Sequence, residues 1–363
     1  MPAYDVGVVS VVPSPYQKDL FRAWASRMDT KLQVYYLEAR APDSPWPEQP
    51  LEPYETILPG FWLTLAGARF HVVTMAPRLA RHRFLVLNSL TSSLAQALLR
   101  FRRPRQTLLF WAEALRDQGA TWRARAQRLL SDPIGQADAV VAIGTRAQRS
   151  YRERFPGLRC FNVPYHCDLD AFRCRPNHFP AATEEVVFLF CGQMIARKGV
   201  DVLLQAFDRL VREGVRVRLR LAGRRADLEQ MLDGVSTESR ARIDYEGFID
   251  PKRLPELFEQ AHAFILPSRY DGWGVVINQA LGAGLPIICS DAVGAGLDLV
   301  QPGVNGLIFP VGESAALAAA MGCLAREPAR LASYGAASRQ LAAGWTPDRG
   351  AEKWAAVLSE FSR

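Results

Sequence analysis

The sequence predicts an α/β protein made of two doubly wound, Rossmann-like domains that face a central cleft. Three observations predict it. Apolar runs of strand length alternate with segments of helical periodicity, and the alternation occurs twice. A polar, Pro-containing stretch at 173–185 separates the two series. The length of 363 residues suits two domains. The expected division is a first domain over 1–172, a linker over 173–185 and a second domain over 186–345. A terminal helix over 346–363 is expected to return toward the first domain.

The first half opens on a buried-type strand, Val6–Val12, which Pro13-Ser14-Pro15 stops. Leu20, Phe21, Trp24 and Met28 then share one face of a helix. Strand Leu32–Leu37 leads into a Pro-rich connection from Pro42 to Pro59, read as a surface excursion. Strand Phe84–Asn88, a helix around 91–101, strand Thr107–Trp111, strand Ala139–Ile143 and a helix through 146–153 follow. After the linker come strand Val186–Cys191, helix 200–213, strand Val215–Ala222, helix 226–233 and strand Ile243–Tyr245. Helix 252–260, strand Ala263–Leu266, helix 275–283 and strand Pro286–Cys289 complete the series. Sheets of this kind bind ligands outside the carboxyl ends of their strands, so the loops after the strands are where chemistry is sought.

Composition excludes several classes. The chain is 49% apolar and 22% charged, with 26 Gly and 24 Pro, which is ordinary globular usage. No run reaches the ~18 apolar residues of a spanning helix. The start, MPAYDVGVVSVVPSPY, lacks the basic segment and cleavage site of a secretory signal, so a cytoplasmic location is expected. The six cysteines form no Cys-x-x-Cys pair. Cys160, Cys167 and Cys174, with His166 and His178 nearby, can be imagined as a metal site, but zinc ligands usually come in tighter pairs. Chance thiols in a reduced compartment, and no metal, are the expectation. Neither half carries G-x-G-x-x-G after its first strand, which disfavours a nicotinamide enzyme, and no Walker, H-E-x-x-H or G-x-S-x-G sequence occurs.

Charge is unevenly shared. Residues 1–165 hold 22 Lys+Arg against 13 Asp+Glu, a net of +9, while the rest of the chain carries 22 against 24 and the whole +7. Arg100, Arg102, Arg103 and Arg105 form one cluster, and Trp122, Arg123, Arg125 and Arg128 another. Arginines beside an aromatic suit an anionic lipid surface, and a solvated face accounts for them equally. A nucleic-acid partner is not expected, because the basic residues are not interleaved with stacking aromatics on a known module.

Two segments carry chemistry. In Leu266–Ser290 a strand ends, a loop holds Asp271, Gly272, Trp273 and Gly274, and a helix begins near Val275. Glycines at a helix mouth let backbone amides approach an anion, and the helix dipole adds to the attraction. Gln279 lies one turn in, so Asp271 and Gln279 flank a place suited to phosphate and sugar hydroxyls. The second segment, Cys191 to Gly199, sets Gln193, Arg197 and Lys198 between a strand and a helix, a further position for a phosphate-rich ligand.

These residues resemble the retaining glycosyltransferases of family 4, which have the GT-B fold. The resemblance rests on Gly192 to Lys198-Gly199, on Gly247-Phe248-Ile249, on Glu256 to Ala261 leading into Leu266-Pro267-Ser268, and on Asn305-Gly306-Leu307, in collinear order. In the first half Ala137–Ile143, Thr145 and the run Asn162, Val163, Pro164, Asp168, Phe172 look similar to that family's domain junction. The resemblance implies a nucleotide-sugar co-substrate, no other cofactor, and a saccharide or lipid-linked acceptor. It implies sugar transfer with retention and without metal; cell-surface polysaccharide or glycolipid synthesis is the expected setting, and the basic first half adds the expectation that the enzyme is peripheral at the inner membrane face. By position, Lys198 would bind the diphosphate, with Gly192, Gln193 and Arg197 alongside. The backbone of Gly272, Trp273, Gly274 and Val275 would contact phosphate and sugar. Gln279 would hold the ribose, Asp271 would meet the sugar hydroxyls, and Gly247, Phe248 and Ile249 would border the base.

The sequence departs from the family's pattern in four places. Its paired glutamates are Asp271 and Gln279 here, and the arginine after the first glycine is Gln193. The glycine pair after the first strand is replaced by Pro13–Tyr16, and the histidine ending a first-domain strand by Trp111-Ala112-Glu113. Glu113 is read either as a carboxylate that orients or deprotonates an acceptor hydroxyl or as a surface residue of a helix start. Tyr16 and Gln17 stand on the acceptor side. His166 faces the cleft in one reading and serves hinge packing in the other. His82 is read as surface basic and His262 as structural. The departures keep open a non-catalytic or partner-dependent protein that binds nucleotide-sugar without efficient transfer.

Overall fold

Parallel strands, most of them buried and most followed by a helix, build both units of the chain. The computed structural model describes residues 4–40, 48–65, 68–76, 79–101, 105–115, 122–173, 179 and 184–362. The chain divides into Met1–Cys167 with Pro347–Arg363, and Asp168–Thr346. Of the expected linker only Arg173, Phe179, Glu184 and Glu185 are among the described residues, and Arg102, Arg103, Cys174 and His178 lie outside them.

The first unit runs β1 (Tyr4–Ser10), α1 (Pro15–Ala25), β2 (Thr30–Tyr36), β3 (Glu55–Ile57), β4 (Gly60–Leu65), β5 (Ala68–Val73), β6 (Phe84–Leu87) and α2 (Ser93–Arg100). It continues through β7 (Thr107–Ala112), α3 (Trp122–Ser131), β8 (Ala139–Ala142), α4 (Thr145–Arg154) and β9 (Cys160–Asn162). Among the described residues its main sheet has the order β3-β2-β1-β6-β7-β8-β9, and every pairing is parallel.

Pro15 opens α1 at a position where a missing amide costs nothing. That helix ends at Ala25, so Met28 is 98% exposed and does not share the core face with Leu20, Phe21 and Trp24. The sequence pattern ran one turn too far. His82, expected on the surface, is buried: its ring meets the Tyr35 hydroxyl at 2.8 Å and the Asp5 carboxylate at 2.6 Å. Gly7 makes room for it, since a Cβ there would lie 2.6 Å from the ring.

The Pro-rich connection is more than an excursion. It contributes β3, pinned by Glu55, which is buried and accepts from Lys18 Nζ and the Tyr36 hydroxyl, both at 2.8 Å. The antiparallel hairpin β4–β5 follows, and Phe61, Trp62 and Leu63 on its first strand are exposed.

The second unit runs β10 (Val186–Cys191), α5 (Val200–Arg212), β11 (Val217–Ala222), α6 (Leu228–Leu232), α7 (Thr237–Arg240), β12 (Ile243–Gly247) and α8 (Leu254–Glu259). It continues through β13 (Ala263–Leu266), α9 (Val276–Gly282), β14 (Ile287–Ser290), α10 (Gly296–Leu299), β15 (Gly306–Phe309), α11 (Ser314–Arg326) and α12 (Pro328–Ala342). Its parallel sheet has the order β12-β11-β10-β13-β14-β15. The last helix, α13 (Pro347–Ser359), belongs to the first unit. There Trp354 stacks on Trp24 with ring centroids 4.7 Å apart and meets Trp111 edge-on at 5.5 Å.

Candidate functional site

The strand order of the second unit reverses between β10 and β13. At such a point the two following loops leave the sheet on diverging paths, and a crevice opens outside the carboxyl ends of the strands. The loops after β10 and β13, residues 192–199 and 267–275, are the two that the sequence singles out.

The first loop is tied down by backbone. The Gly192 amide donates to the Ala222 carbonyl (2.8 Å) and the Met194 amide to that of Arg224 (3.0 Å), while the Met194 side chain is buried. A short 3-10 turn, Ala196–Lys198, delivers the chain to Gly199, whose φ of +68° is the left-handed region glycine adopts freely. Space imposes glycine as well, because a Cβ at 199 would lie 2.1 Å from the Pro267 carbonyl oxygen. The start of α5 therefore touches the end of β13 backbone to backbone.

Side chains lace the same seam. The Arg269 amide donates to the Arg197 carbonyl (2.8 Å), and Arg197 Nη1 returns to the Tyr270 carbonyl (3.0 Å). The Arg269 guanidinium donates to the Ala196 carbonyl at 2.6 Å and to both oxygens of Asp201 at 2.7 and 2.6 Å. That pairing holds the Asp201 carboxyl below the usual carboxylate range and raises the guanidinium, with burial working against both shifts. Lys198 Nζ donates to Asp271 Oδ2 at 2.5 Å, and Ser268 Oγ donates to the same oxygen at 3.3 Å. The Lys198 and Asp271 side chains are only 15% and 13% exposed. The Cys191 thiol, near Lys198, is pushed up to about 12 by burial, which keeps it from acting as a thiolate.

The second loop is fixed from its far side. Ser290 Oγ donates to the Ser268 carbonyl (2.5 Å), the Asp271 amide to Ala292 (3.2 Å) and the Gly294 amide back to Asp271 (3.0 Å). A Cβ on Gly294 would sit 2.1 Å from the Gly272 carbonyl oxygen, so this approach also requires glycine. Trp273 is a core anchor: its ring is buried and its indole N–H donates to Asn278 Oδ1 (2.8 Å). What residues 272–275 offer a ligand is therefore backbone. Bonding of the next turn starts where the Ile277 amide reaches the Gly274 carbonyl (2.9 Å), and Gln279 is half-buried just beyond.

Gly192, Gln193, Arg197, Lys198, Asp271 to Val275 and Gln279 thus share the ends of two adjacent strands. Gly247, Phe248 and Ile249 follow β12, which lies beyond β11 on the same sheet. The Gly247 carbonyl accepts from the Gly223 amide (2.7 Å), and Phe248 is 50% exposed. Arg269, Asp201 and Ser268 were not anticipated. Ser268 and Arg269 lie within the second loop and Asp201 two residues past the first, while the contact of Arg269 with Asp201 is non-local.

The first unit has its own reversal, between β1 and β6. A connected polar network fills it. Ser10 Oγ donates to Gln17 Oε1 and Asn88 Oδ1 (both 3.2 Å), Ser14 Oγ donates to Gln17 Oε1 (3.0 Å), Gln17 Nε2 to Asn88 Oδ1 (2.9 Å), and Asn88 Nδ2 to the Trp111 carbonyl (2.8 Å). Gln17, assigned to the acceptor side from sequence, is thus buried and occupied within the protein. Tyr16 is half-buried and meets Tyr165 edge-on at 4.8 Å. Burial, and then the Glu113 charge, push the Tyr165 hydroxyl well above its ordinary range, and Glu113 follows directly after β7 in the chain. His166 is fully buried, with its ring against the Pro164 carbonyl at 2.8 Å, and burial pushes it down to about 4. The imidazole is therefore a neutral core group beneath Gly350 of α13, where a Cβ would lie 2.8 Å from its own Cβ. The structure favours the packing reading of His166 over a solvent-facing one.

Two parallel, doubly wound sheets, each reversing at a central switch point, define the GT-B architecture. Residues 185–327 match the family model described as glycosyl transferases group 1. The chain is similar to the α-D-kanosaminyltransferase of Streptomyces kanamyceticus, 25% identical over 234 residues, covering 61% of this chain and 58% of that protein. It is also similar to the O-antigen chain mannosyltransferase B of Escherichia coli, 35% identical over 108 residues and 28% of each chain. The sequence matches therefore span little more than half, or less, of these relatives' own lengths. Among solved structures, the sucrose-phosphate synthase of Thermosynechococcus elongatus superimposes with a TM-score of 0.73 over 98% of both chains at 18% identity.

Proposed function

We propose that this chain is a retaining glycosyltransferase that takes a sugar from a nucleotide-sugar and passes it to a saccharide or lipid-linked acceptor. The observation that carries the reading is the Lys198–Asp271 pair, a cation and a carboxylate brought to 2.5 Å at the switch point of the second unit by two loops of the expected chemistry. Breaking the bond between sugar and diphosphate puts negative charge on the departing phosphate, and preorganised donors aimed at that charge lower the barrier. Lys198, Arg197 and the backbone of residues 272–275 supply those donors in this reading, taking the part a divalent metal would otherwise play. An ammonium has three donors, so Lys198 can bind a phosphate oxygen without releasing Asp271. Both Asp271 contacts described above fall on Oδ2, which leaves Oδ1 as the oxygen for a sugar hydroxyl. Gln279 serves the ribose and Phe248 the base, and Glu113 orients the acceptor hydroxyl. Retention follows in this reading from attack on the face the diphosphate leaves.

The relatives' names, a kanosaminyl- and a mannosyltransferase, support sugar transfer, and the O-antigen enzyme supports a cell-surface glycan as destination. Association with the inner face of the membrane belongs to the same proposal. Among the described residues no helix is long and apolar enough to cross a membrane, while Arg100, Phe101, Arg105, Arg125, Arg128 and Leu129 are exposed on the first unit. Calorimetry with UDP-, GDP-, ADP- and dTDP-sugars tests the site. Lys198→Ala should weaken donor binding by the ~1.5–3 kcal/mol of a charge-assisted contact, a loss of about tenfold or more. An unchanged Kd, or no heat from the unmodified chain with any donor, would sink the assignment.

A further inference from the structure

We infer that Arg269 is a positioning residue for the donor diphosphate, and that it works by holding Lys198 in place and by cancelling the charge of Asp201. The inference rests on the donor site proposed above and gives a role to a residue of its second loop that makes no contact with the donor in that proposal. Arg269 occupies the seam between the two loops. Its amide is bound to the Arg197 carbonyl, and its guanidinium to the Ala196 carbonyl and both oxygens of Asp201. Those partners bracket Lys198 on either side in the chain. Fixing residues 196, 197 and 201 leaves the Lys198 backbone little freedom to retreat from Asp271.

The second effect is electrostatic. Asp201 is the second residue of α5 and stands three positions after Lys198. A bare carboxylate there would repel a diphosphate drawn to Lys198. Paired bidentately with Arg269, it presents no net charge, and the geometry is the kind for which an ion pair at 40% and 32% exposure still matters. Lysine at this position would keep the charge but lose the planar fork that reaches two oxygens and a carbonyl together.

A double-mutant cycle in donor binding, read by calorimetry with thermal melts as the check on folding, tests the inference. Arg269→Ala should weaken binding of the preferred nucleotide-sugar about tenfold, the loss expected of one charge-assisted contact. Arg269→Lys should recover part of that loss, and Arg269→Ala with Asp201→Asn should recover part by removing the exposed carboxylate. In the Lys198→Ala background Arg269→Ala should cost clearly less than its full tenfold, keeping only the share due to the bared Asp201 carboxylate, because residues acting through one another are non-additive. Binding by Arg269→Ala within about twofold of the unmodified chain, or the same full loss repeated in the Lys198→Ala background, overturns the inference. If Arg269→Ala does not fold, Arg269→Lys carries the same cycle. Failure of the unmodified chain to bind any nucleotide-sugar is a different result, since it refutes the donor site itself.

Discussion

Asp271→Asn separates what Asp271 does in the empty site from what it does with donor present. The substitution keeps the shape of the side chain and removes its charge, so Lys198 loses its counter-ion at 2.5 Å. Exposed pairs are worth ~0.2–1 kcal/mol, and breaking a buried pair costs ~3–5 kcal/mol. At 15% and 13% exposure this pair lies between the two, so the ligand-free variant should lose about 2 kcal/mol. In a domain of this size that is a fall in Tm of roughly 4–8 °C. A nucleoside diphosphate supplies Lys198 with a new anion. It should therefore bind the variant more tightly than the unmodified chain and restore most of the lost Tm, while sugar transfer falls because Oδ1 no longer accepts as a carboxylate. Differential scanning fluorimetry with and without the nucleotide, alongside calorimetry and a transfer assay, reads all three. A variant with unchanged ligand-free Tm, or with weakened nucleotide binding, would show that Asp271 is not the partner of the phosphate-binding cation.

His166 gives a pH signature. Its folded pKa of about 4 lies below the ordinary 6.5, so its contribution is fully present above 6.5 and is lost as pH falls through 4. That amounts to about 3 kcal/mol across the window, and His166→Gln should flatten the stability–pH profile there; a parallel profile refutes it. Binding to vesicles rich in anionic lipid should weaken with added salt and when Arg100, Arg105, Arg125 and Arg128 are replaced by alanine, at ~1 kcal/mol for each arginine close to the surface. Binding indifferent to both removes the membrane proposal.

What the sequence made legible is what is local. A strand, a glycine loop and a helix follow one another directly in the chain in both 186–212 and 263–282, and side-chain period and turn chemistry suffice to read them. The core residues Leu20, Phe21 and Trp24 of α1 are legible for the same reason. The burial of His82 depends on Gly7, Asp5 and Tyr35, which come from two other strands, and nothing near residue 82 encodes it. The hairpin β4–β5 escaped notice because Phe61, Trp62 and Leu63 give no alternation: all three are exposed, so a period of two never marks the strand. Gln17 looked available because its position past the first strand was visible, while its partners Ser10 and Asn88 are brought to it only by the sheet.

The fold accounts for the geometry of the aspartate at position 271. Compared with the glutamate of the family that this sequence resembles, an aspartate is shorter by one methylene, and reach is what such a carboxylate needs. The chain compensates through backbone. The Asp271 amide and carbonyl are bound to Ala292 and Gly294, and Gly199 lets α5 come up against Pro267. With both loops held this close, a short side chain suffices to meet Lys198, and a longer one would have to fold back within a pair already at 2.5 Å. The two glycines at 199 and 294 and the aspartate at 271 are therefore one solution: backbone approach supplies the distance that the missing methylene would have spanned.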